Sequence, residues 1–283
     1  MTLTPDRLQR IPVFGIAGNF AEHLSQAGED ADFVQIKTED AAAPKGIFPI
    51  YIPSHASYLG TYPLSSRRIQ ADFSQPIKVQ VEPEISILFD AFYDNDHHLT
   101  DLQAKAFSAF NDCSIRRPNA RKISEKKNWG TDSTGLASDW IDIDRFDEGG
   151  ILDDYHIASF IQRNERVERY GMNSPVLGYS YFYQTLKHWM VRTFNQQCDQ
   201  GPLENLAELL AAADYPAQII VTLGATRYAP FGETGYLKPG DRIGVFVYDK
   251  NSISEAELAD SFAHNALPDA FKGSALVQSV SQA

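Results

Sequence analysis

Long apolar runs, cysteine and basic charge are all scarce in this sequence. No stretch of about 18 apolar residues occurs, so no segment is expected to span a bilayer as a helix. The start, MTLTPDRLQRIPVFGIAGNF, lacks the basic opening and apolar stretch of a signal peptide. Two cysteines, Cys113 and Cys198, make neither a disulfide framework nor a zinc motif. They read as buried or half-buried thiols in a reducing compartment, which points to a cytoplasmic protein. Lys and Arg total 25 against 37 Asp and Glu, a net charge of −12. That balance repels phosphate backbones and anionic lipid. The basic clusters, such as Arg116, Arg117, Arg121 and Lys122, are short. Neither nucleic acid nor a membrane surface is an expected partner. Repeats and low-complexity segments are also missing, which excludes solenoids and disordered tails.

What remains is an ordinary globular composition, with 43% hydrophobic and 22% charged residues. The 283 residues suffice for a self-sufficient core. We expect one domain over 1–283, with a core over about 11–250 and a C-terminal helix and tail over 251–283 that loosens after about Lys272.

Strand signals dominate the first half. Ile11 to Gly18 is an apolar run ending in glycine. Ile47 to Pro53 is interrupted by Pro49, which suits an edge strand. Ile77 to Asp90 alternates apolar and polar residues. LTDLQAKAFSAFND has helical spacing, with a strand as the alternative at Phe107 to Asn111. DDYHIASFIQRNERVERYG reads as a hairpin near Asn164. Helical spacing returns over Ser180 to Gln197, and Pro202 to Tyr215 opens with proline and early glutamates. QIIVTLGA is a buried-type strand, and GYLKPGDRIGVFVYD a turn and an alternating strand. Ser254 and Glu257 form a capping box before a last helix. The class is strand-rich α+β rather than doubly wound.

The most informative stretch is VEPEISILFD. Glu82 and Glu84 are two residues apart, so a strand puts both on one face, opposite Val79, Val81, Ile85 and Ile87. Paired carboxylates repel unless something neutralises them, and a hard divalent cation does so well. The alternative is a solvated strand face. Asp112 follows in AFNDCSIRR, either as a third carboxylate or as a turn residue. Lys126 and Lys127 then stand in EKKNWGTDSTG, where a lysine near a metal stabilises a developing anion. His23, after the first strand, has the chemistry of a general base. In DNDHH, His97 and His98 read as a charged hairpin tip.

In this order the segments resemble the fumarylacetoacetate hydrolase superfamily from about Val13 to Asp249. GIAGNFAEH matches its opening motif through Asn19, Phe20 and His23. Glu82 and Glu84 match its E-x-E, and Asn111, Asp112, Ser114 and Arg116 its N-D-x-S-x-R. Lys127, with Lys126 as the alternative, matches its lysine, and Leu237 to Asp241 its closing L-K-P-G-D. The resemblance implies a mixed β-roll with flanking helices, and a homodimer. It implies Mg²⁺ (or Mn²⁺ or Ca²⁺) on Glu82, Glu84 and Asp112. It implies a small 2-oxo acid or β-dicarbonyl substrate that reacts through an enolate, by carbon–carbon cleavage, decarboxylation or tautomerisation. Asn19, Ser114, Arg116, Asn119 and Thr226 would meet the substrate, Arg116 at its carboxylate. Lys127 would stabilise charge, and His23 would orient or activate water.

Two positions depart from the family pattern. Gln26 stands where many members carry a glutamate, a role Glu29 would have to take over. Ala225 replaces a threonine, with Thr226 one residue later. A non-catalytic protein that binds metal and oxo acid on the same fold is therefore the alternative reading.

Overall fold

The computed structural model describes residues 3–20, 26, 33, 36, 38, 40–117 and 119–283. Its largest sheet has eight strands. They run in the order β2 (Gly46–Tyr51), β1 (Val13–Ala17), β13 (Gln218–Thr222), β6 (Pro83–Tyr93), β7 (Leu99–Asn111), β9 (Thr134–Leu136) and β3 (Leu64–Ser65), with β10 (Ile141–Asp142) also paired to β7. A five-stranded sheet runs β12 (Arg166–Pro175), β11 (Tyr155–Arg163), β14 (Arg242–Asp249), β15 (Gly273–Gln282), β4 (Arg68–Ala71). A short ladder joins β5 (Val79–Gln80) to β8 (Ser114–Ile115). Parallel pairs β1–β13, β3–β9 and β4–β15 sit among antiparallel ones. This is the strand-rich, mixed α+β architecture expected. No helix of the described residues is long and apolar enough to cross a membrane.

Several elements follow directly from their residues. Pro49 lies in β2, which is an edge strand with no neighbour on its far side among the described residues to need the missing N–H. Asn164 turns the β11–β12 hairpin with φ 58°, a conformation asparagine tolerates. The capping box of Ser254 and Glu257 opens the helix Glu255–His264. The helix Tyr183–Gln196 buries Leu186, Met190 and Phe194. Cys113 is buried and Cys198 exposed, and both are free thiols.

Three expectations need correction. The segment with helical spacing is the strand β7, paired with β6 along its length. Register shifts beside Leu88/Phe89 and Phe92/Tyr93 leave residues 100 and 105 of β7 without a paired residue in β6. Each extra residue resets the alternation, so the positions packed in the main core fall at Leu99, Leu102, Ala104, Phe107 and Ala109. Those intervals of three and two imitate a helix. The second correction is the start of the helix after Pro202. It runs Leu206–Ala212, and Asn205 caps it by accepting from the Glu208 N–H.

The third is the C-terminus, which is not a loose tail. β15 lies between β14 and β4. Its buried face is Ser274, Leu276, Gln278 and Val280, half polar and thus faint in a hydropathy pattern. Those polar side chains reach the other sheet. Ser274 Oγ accepts from the Ala109 N–H at 2.8 Å. Gln278 Oε1 accepts from Asn111 at 3.1 Å, and its amide donates to the Ser65 and Arg68 carbonyls.

The short helix Ser124–Lys127 is docked at its start onto residues 199–204. Lys122 Nζ donates to Asp199 at 2.8 Å and to the Gly201 and Leu203 carbonyls at 3.0 and 2.7 Å. The Ile123 N–H donates to the Pro202 carbonyl at 3.1 Å. Ser124 Oγ donates to Glu204 and meets Tyr58 Oη at 2.6 Å. Burial pushes the Glu204 carboxyl up to about 7.

Two outcomes are expected. Deleting residues 273–283 should cost more than about 4 kcal/mol, because it removes an interior strand and its cross-sheet hydrogen bonds. Chemical denaturation of the truncated chain measures this, and a loss below about 1 kcal/mol would restore the loose tail. For Glu204, a carboxyl raised when folded favours folding below its ordinary value of 4.5. That contribution disappears as pH rises through about 7, a loss of about 3 kcal/mol. Glu204→Gln is neutral throughout. Urea denaturation between about pH 5 and 8 should therefore show a flatter pH dependence in the variant than in the wild type.

Candidate metal centre

One register builds the acidic cluster. β6 and β7 pair Leu88 with Ala106, Glu84 with Phe110 and Pro83 with Asn111. The same alignment resumes in the short ladder, Gln80 with Ser114 and Val79 with Ile115. Between the two ladders the Asp112 N–H donates to the Glu82 carbonyl at 3.0 Å. Glu82 and Asp112 are therefore directly opposed, with Glu84 one step along the same face. Residues of the other face (Val79, Val81, Ile85, Ile87, Phe107, Ala109) enter the main core, as alternation predicted. The carboxylate face is not solvated. Phe110, Leu88 and Ala106 on it belong to a second apolar cluster. Glu82, Glu84 and Asp112 are only 3%, 2% and 1% exposed. One oxygen from each lies within 4.8 Å of the others.

The surroundings hold these carboxylates in place. Lys127 Nζ lies 2.5 Å from Glu82 Oε2 and 2.7 Å from Asp112 Oδ2. It also sits 5.7 Å from the centroid of the Phe48 ring. The Gly224 N–H donates to Glu84 Oε2 at 2.9 Å. Gly224 has φ +106°, a conformation that glycine alone adopts readily, so the bend after β13 aims that N–H. The Glu82 N–H donates to Asn111 Oδ1 at 3.1 Å, which links the Glu82 backbone to Gln278 of β15. Burial, and then the facing Asp112, push the Glu84 carboxyl well above the usual carboxylate range, while Thr222 and Lys127 act against them. Burial likewise pushes the neighbouring Cys113 thiol up, which makes it inert.

Arg116, expected at a substrate carboxylate, faces inward. Its Nη2 lies 2.9 Å from Glu82 Oε1 and 2.8 Å from Tyr228 Oη. Its Nε donates to Gln80 at 2.6 Å and its Nη1 to Ser114 at 3.3 Å. All three guanidinium nitrogens thus serve the protein, and Ser114 is an acceptor for one of them. Asn19 is fully buried. Its amide donates to the Tyr181 and Leu223 carbonyls, both at 3.1 Å, and accepts from the Tyr181 N–H at 2.9 Å. It lines the cavity while tying three chain segments together. Thr226 is buried and donates its N–H to the Pro83 carbonyl, whereas Asn119 is exposed; neither lines the cavity. Lys127 rather than Lys126 lines it. His23 and Glu29 lie outside the described residues. Gln26 clamps a neighbouring loop, accepting from the Tyr228 N–H at 2.9 Å and donating to Glu233 at 3.1 Å. His97 and His98 sit at the exposed tip of the β6–β7 hairpin.

The carboxylates, Lys127 and Asn19 share their cavity with Ile16, Ala17, Phe20, Phe48, Ile123 and Ala225. Its free space is about 20 Å³, the scale of a single water or ion. Three carboxylates face two cations, Lys127 and Arg116, which leaves one negative charge when all are ionised. Donors that are all carboxylate oxygen, buried and converging, fit a hard divalent cation. Sequence reasoning missed Phe48 and Gln80. Gln80 was legible, since it shares the alternation of Glu82 and Glu84. Phe48 carried no signal beyond being apolar.

Comparison with curated protein sequences gives no match. Among solved structures, the chain is similar to a hexagonal form of 2-keto-3-deoxyarabinonate dehydratase, at 14% identity and TM-score 0.53, over 96% of this chain and 74% of that one. It is similar to 2-hydroxyhepta-2,4-diene-1,7-dioate isomerase from Mycobacterium marinum, at 12% identity and TM-score 0.51, over 96% and 74%. It is also similar to 2-keto-3-deoxy-D-arabinonate dehydratase complexed with magnesium and 2,5-dioxopentanoate, at 13% identity and TM-score 0.51, over 96% and 73%. At these identities the likeness establishes the fold. Residues 29–280 match a family of unknown function, DUF5718. The chain belongs to that family, and its fold is that of the fumarylacetoacetate hydrolase superfamily.

Proposed function

We propose that this chain is a divalent-metal-dependent enzyme acting on a small 2-oxo acid or β-dicarbonyl compound, by carbon–carbon cleavage, decarboxylation or tautomerisation. The observation that carries this reading is the convergence of Glu82, Glu84 and Asp112 in one buried cavity. These three would hold the ion, Mg²⁺ first among the candidates, as the magnesium complex of the dehydratase neighbour suggests. When bound, such an ion supplies Lewis-acid polarisation of the substrate's oxygens.

The protein's own groups complete the site. Lys127 places a fixed positive charge beside Glu82 and Asp112, where negative charge gathers on a substrate. Arg116 and the Gly224 N–H hold Glu82 and Glu84 in orientation. Phe20, Phe48 and Ile123 give the cavity one apolar side, which strengthens the interactions among these charges. Gln26 takes no proton near neutral pH and is engaged with Tyr228 and Glu233. This favours decarboxylation or tautomerisation, which ask less of a water-activating base than hydrolysis does. It also supports a second reading, a non-catalytic protein that binds metal and oxo acid.

Calorimetric titration of Mg²⁺ and Mn²⁺ into metal-stripped protein should give one ion per chain. Asp112→Asn should weaken it by roughly 100-fold with the circular dichroism spectrum unchanged, and oxalate should tighten it in the wild type. Ion binding as strong in Asp112→Asn as in the wild type would remove the assignment. Lys127→Met should lower turnover of a responsive oxo acid by about 100-fold or more while leaving an ion-binding site. Metal-dependent binding of oxo acids without any product from a panel of them would select the non-catalytic reading.

A further inference from the structure

The acidic cluster already contains a cation of its own. Lys127 is 2% exposed, and its ammonium meets three oxygens, as many as it has N–H bonds. They are Glu82 Oε2 at 2.5 Å, Asp112 Oδ2 at 2.7 Å and the Asp112 backbone carbonyl at 3.3 Å. The ammonium thus bridges two of the three carboxylates that converge as candidate ligands. The residue is pinned at both ends. Its backbone carbonyl accepts from Thr134 Oγ1 at 3.1 Å and from Ser133 Oγ at 3.4 Å. Its Nζ sits over the Phe48 ring, 5.7 Å from the centroid. Among the described residues that line the cavity it is the one cation, and the free space beside it is about 20 Å³, that of one ion or water. An ion in that space has the ammonium as its neighbour.

From this we infer that Lys127 is a tethered counter-ion with two opposed effects. It balances Glu82 and Asp112, so that the chain folds without a divalent ion, and it holds the affinity for that ion down. The inference rests on the metal-site reading above. The first effect follows from the charge count. Glu82 and Asp112 oppose each other across the register, and Arg116 supplies one positive charge against their two. A buried carboxylate stripped of its cation is strongly destabilising. The second effect follows from proximity. An ion held by the same carboxylates lies within a few ångströms of the ammonium, shielded from water, where like charges repel strongly. The two cations are therefore linked reciprocally, each weakening the other's hold on the shared carboxylates. Such a site fills and empties with the free ion concentration instead of holding its ion permanently.

Lys127→Gln tests this, because the amide keeps a donor toward the carboxylates and removes the charge. Lys127→Met, which removes both, is the second variant. Mg²⁺ is titrated by calorimetry into the metal-stripped wild type and variants at one ionic strength. Urea denaturation of each is followed with and without saturating Mg²⁺. We expect Lys127→Gln to bind Mg²⁺ at least about tenfold more tightly than the wild type. Its stripped form should unfold at lower urea than the stripped wild type, and Mg²⁺ should raise its midpoint by more than it raises the wild type's. A variant that folds only with Mg²⁺ is the extreme form of the same result. If the wild type binds one ion and the folded variants bind it equally or more weakly, the inference is overturned while the metal site stands. A stripped Lys127→Gln protein as stable as the stripped wild type also overturns it. So does failure of both variants to fold in saturating Mg²⁺, since the ion then does not replace the ammonium. If neither the wild type nor a folded variant binds an ion, the metal-site reading fails and the inference with it.

Discussion

The structure depends most on the antiparallel register that runs from Val79–Ile115 to Leu88–Ala106. It opposes Glu82 to Asp112 and puts Glu84 on the same face, so one pairing assembles three carboxylates. It also sorts the apolar residues. Val79, Val81, Ile85 and Ile87 enter one core, while Leu88, Ala106 and Phe110 enter another. A slip of one residue would exchange the faces, driving three charges into the main core. The register is thus strongly specified, although holding it means burying acids side by side.

Burying like charges is unfavourable unless partners arrive from elsewhere. Here they arrive from four directions. The helix Ser124–Lys127 brings Lys127, and β8 leads into Arg116. The bend after β13 brings the Gly224 N–H. β15 brings Gln278, which holds Asn111 and through it the Glu82 backbone. The arrangement sets this chain's arginine apart from the role its motif suggested. Where a free guanidinium was expected at the substrate, a fully engaged one fixes a carboxylate. The solved structures of the same fold include both a dehydratase and an isomerase, so the scaffold itself does not decide the reaction.

Much of the site was legible as residue types. Two glutamates at an interval of two, an N-D pair and a following lysine were visible without coordinates, and Glu82, Glu84, Asp112 and Lys127 do converge. Legibility failed where pattern and environment diverge. β7 carries two extra residues that reset its alternation, so a strand looked helical. β15 buries serine and glutamine because they bond across to the other sheet, so an interior strand looked like a tail. Asn19 and Arg116 were recognised as important, but their partners, Tyr181, Leu223, Gln80 and Tyr228, are distant in sequence.

The sequence by itself determined the local chemistry: the strand alternation that puts Glu82 and Glu84 on one face, the capping box at Ser254, the hairpin at Asn164 and the edge position of Pro49. These rest on interactions a few residues long, which composition and spacing encode. Only the tertiary structure decided that the carboxylate face is buried, that Lys127 rather than Lys126 reaches it, and that Arg116 turns inward. It alone decided that Phe20 and Phe48 line the cavity. Those outcomes depend on which remote segments supply the compensating charges, hydrogen bonds and apolar surface, and that is set by the packing of the whole chain.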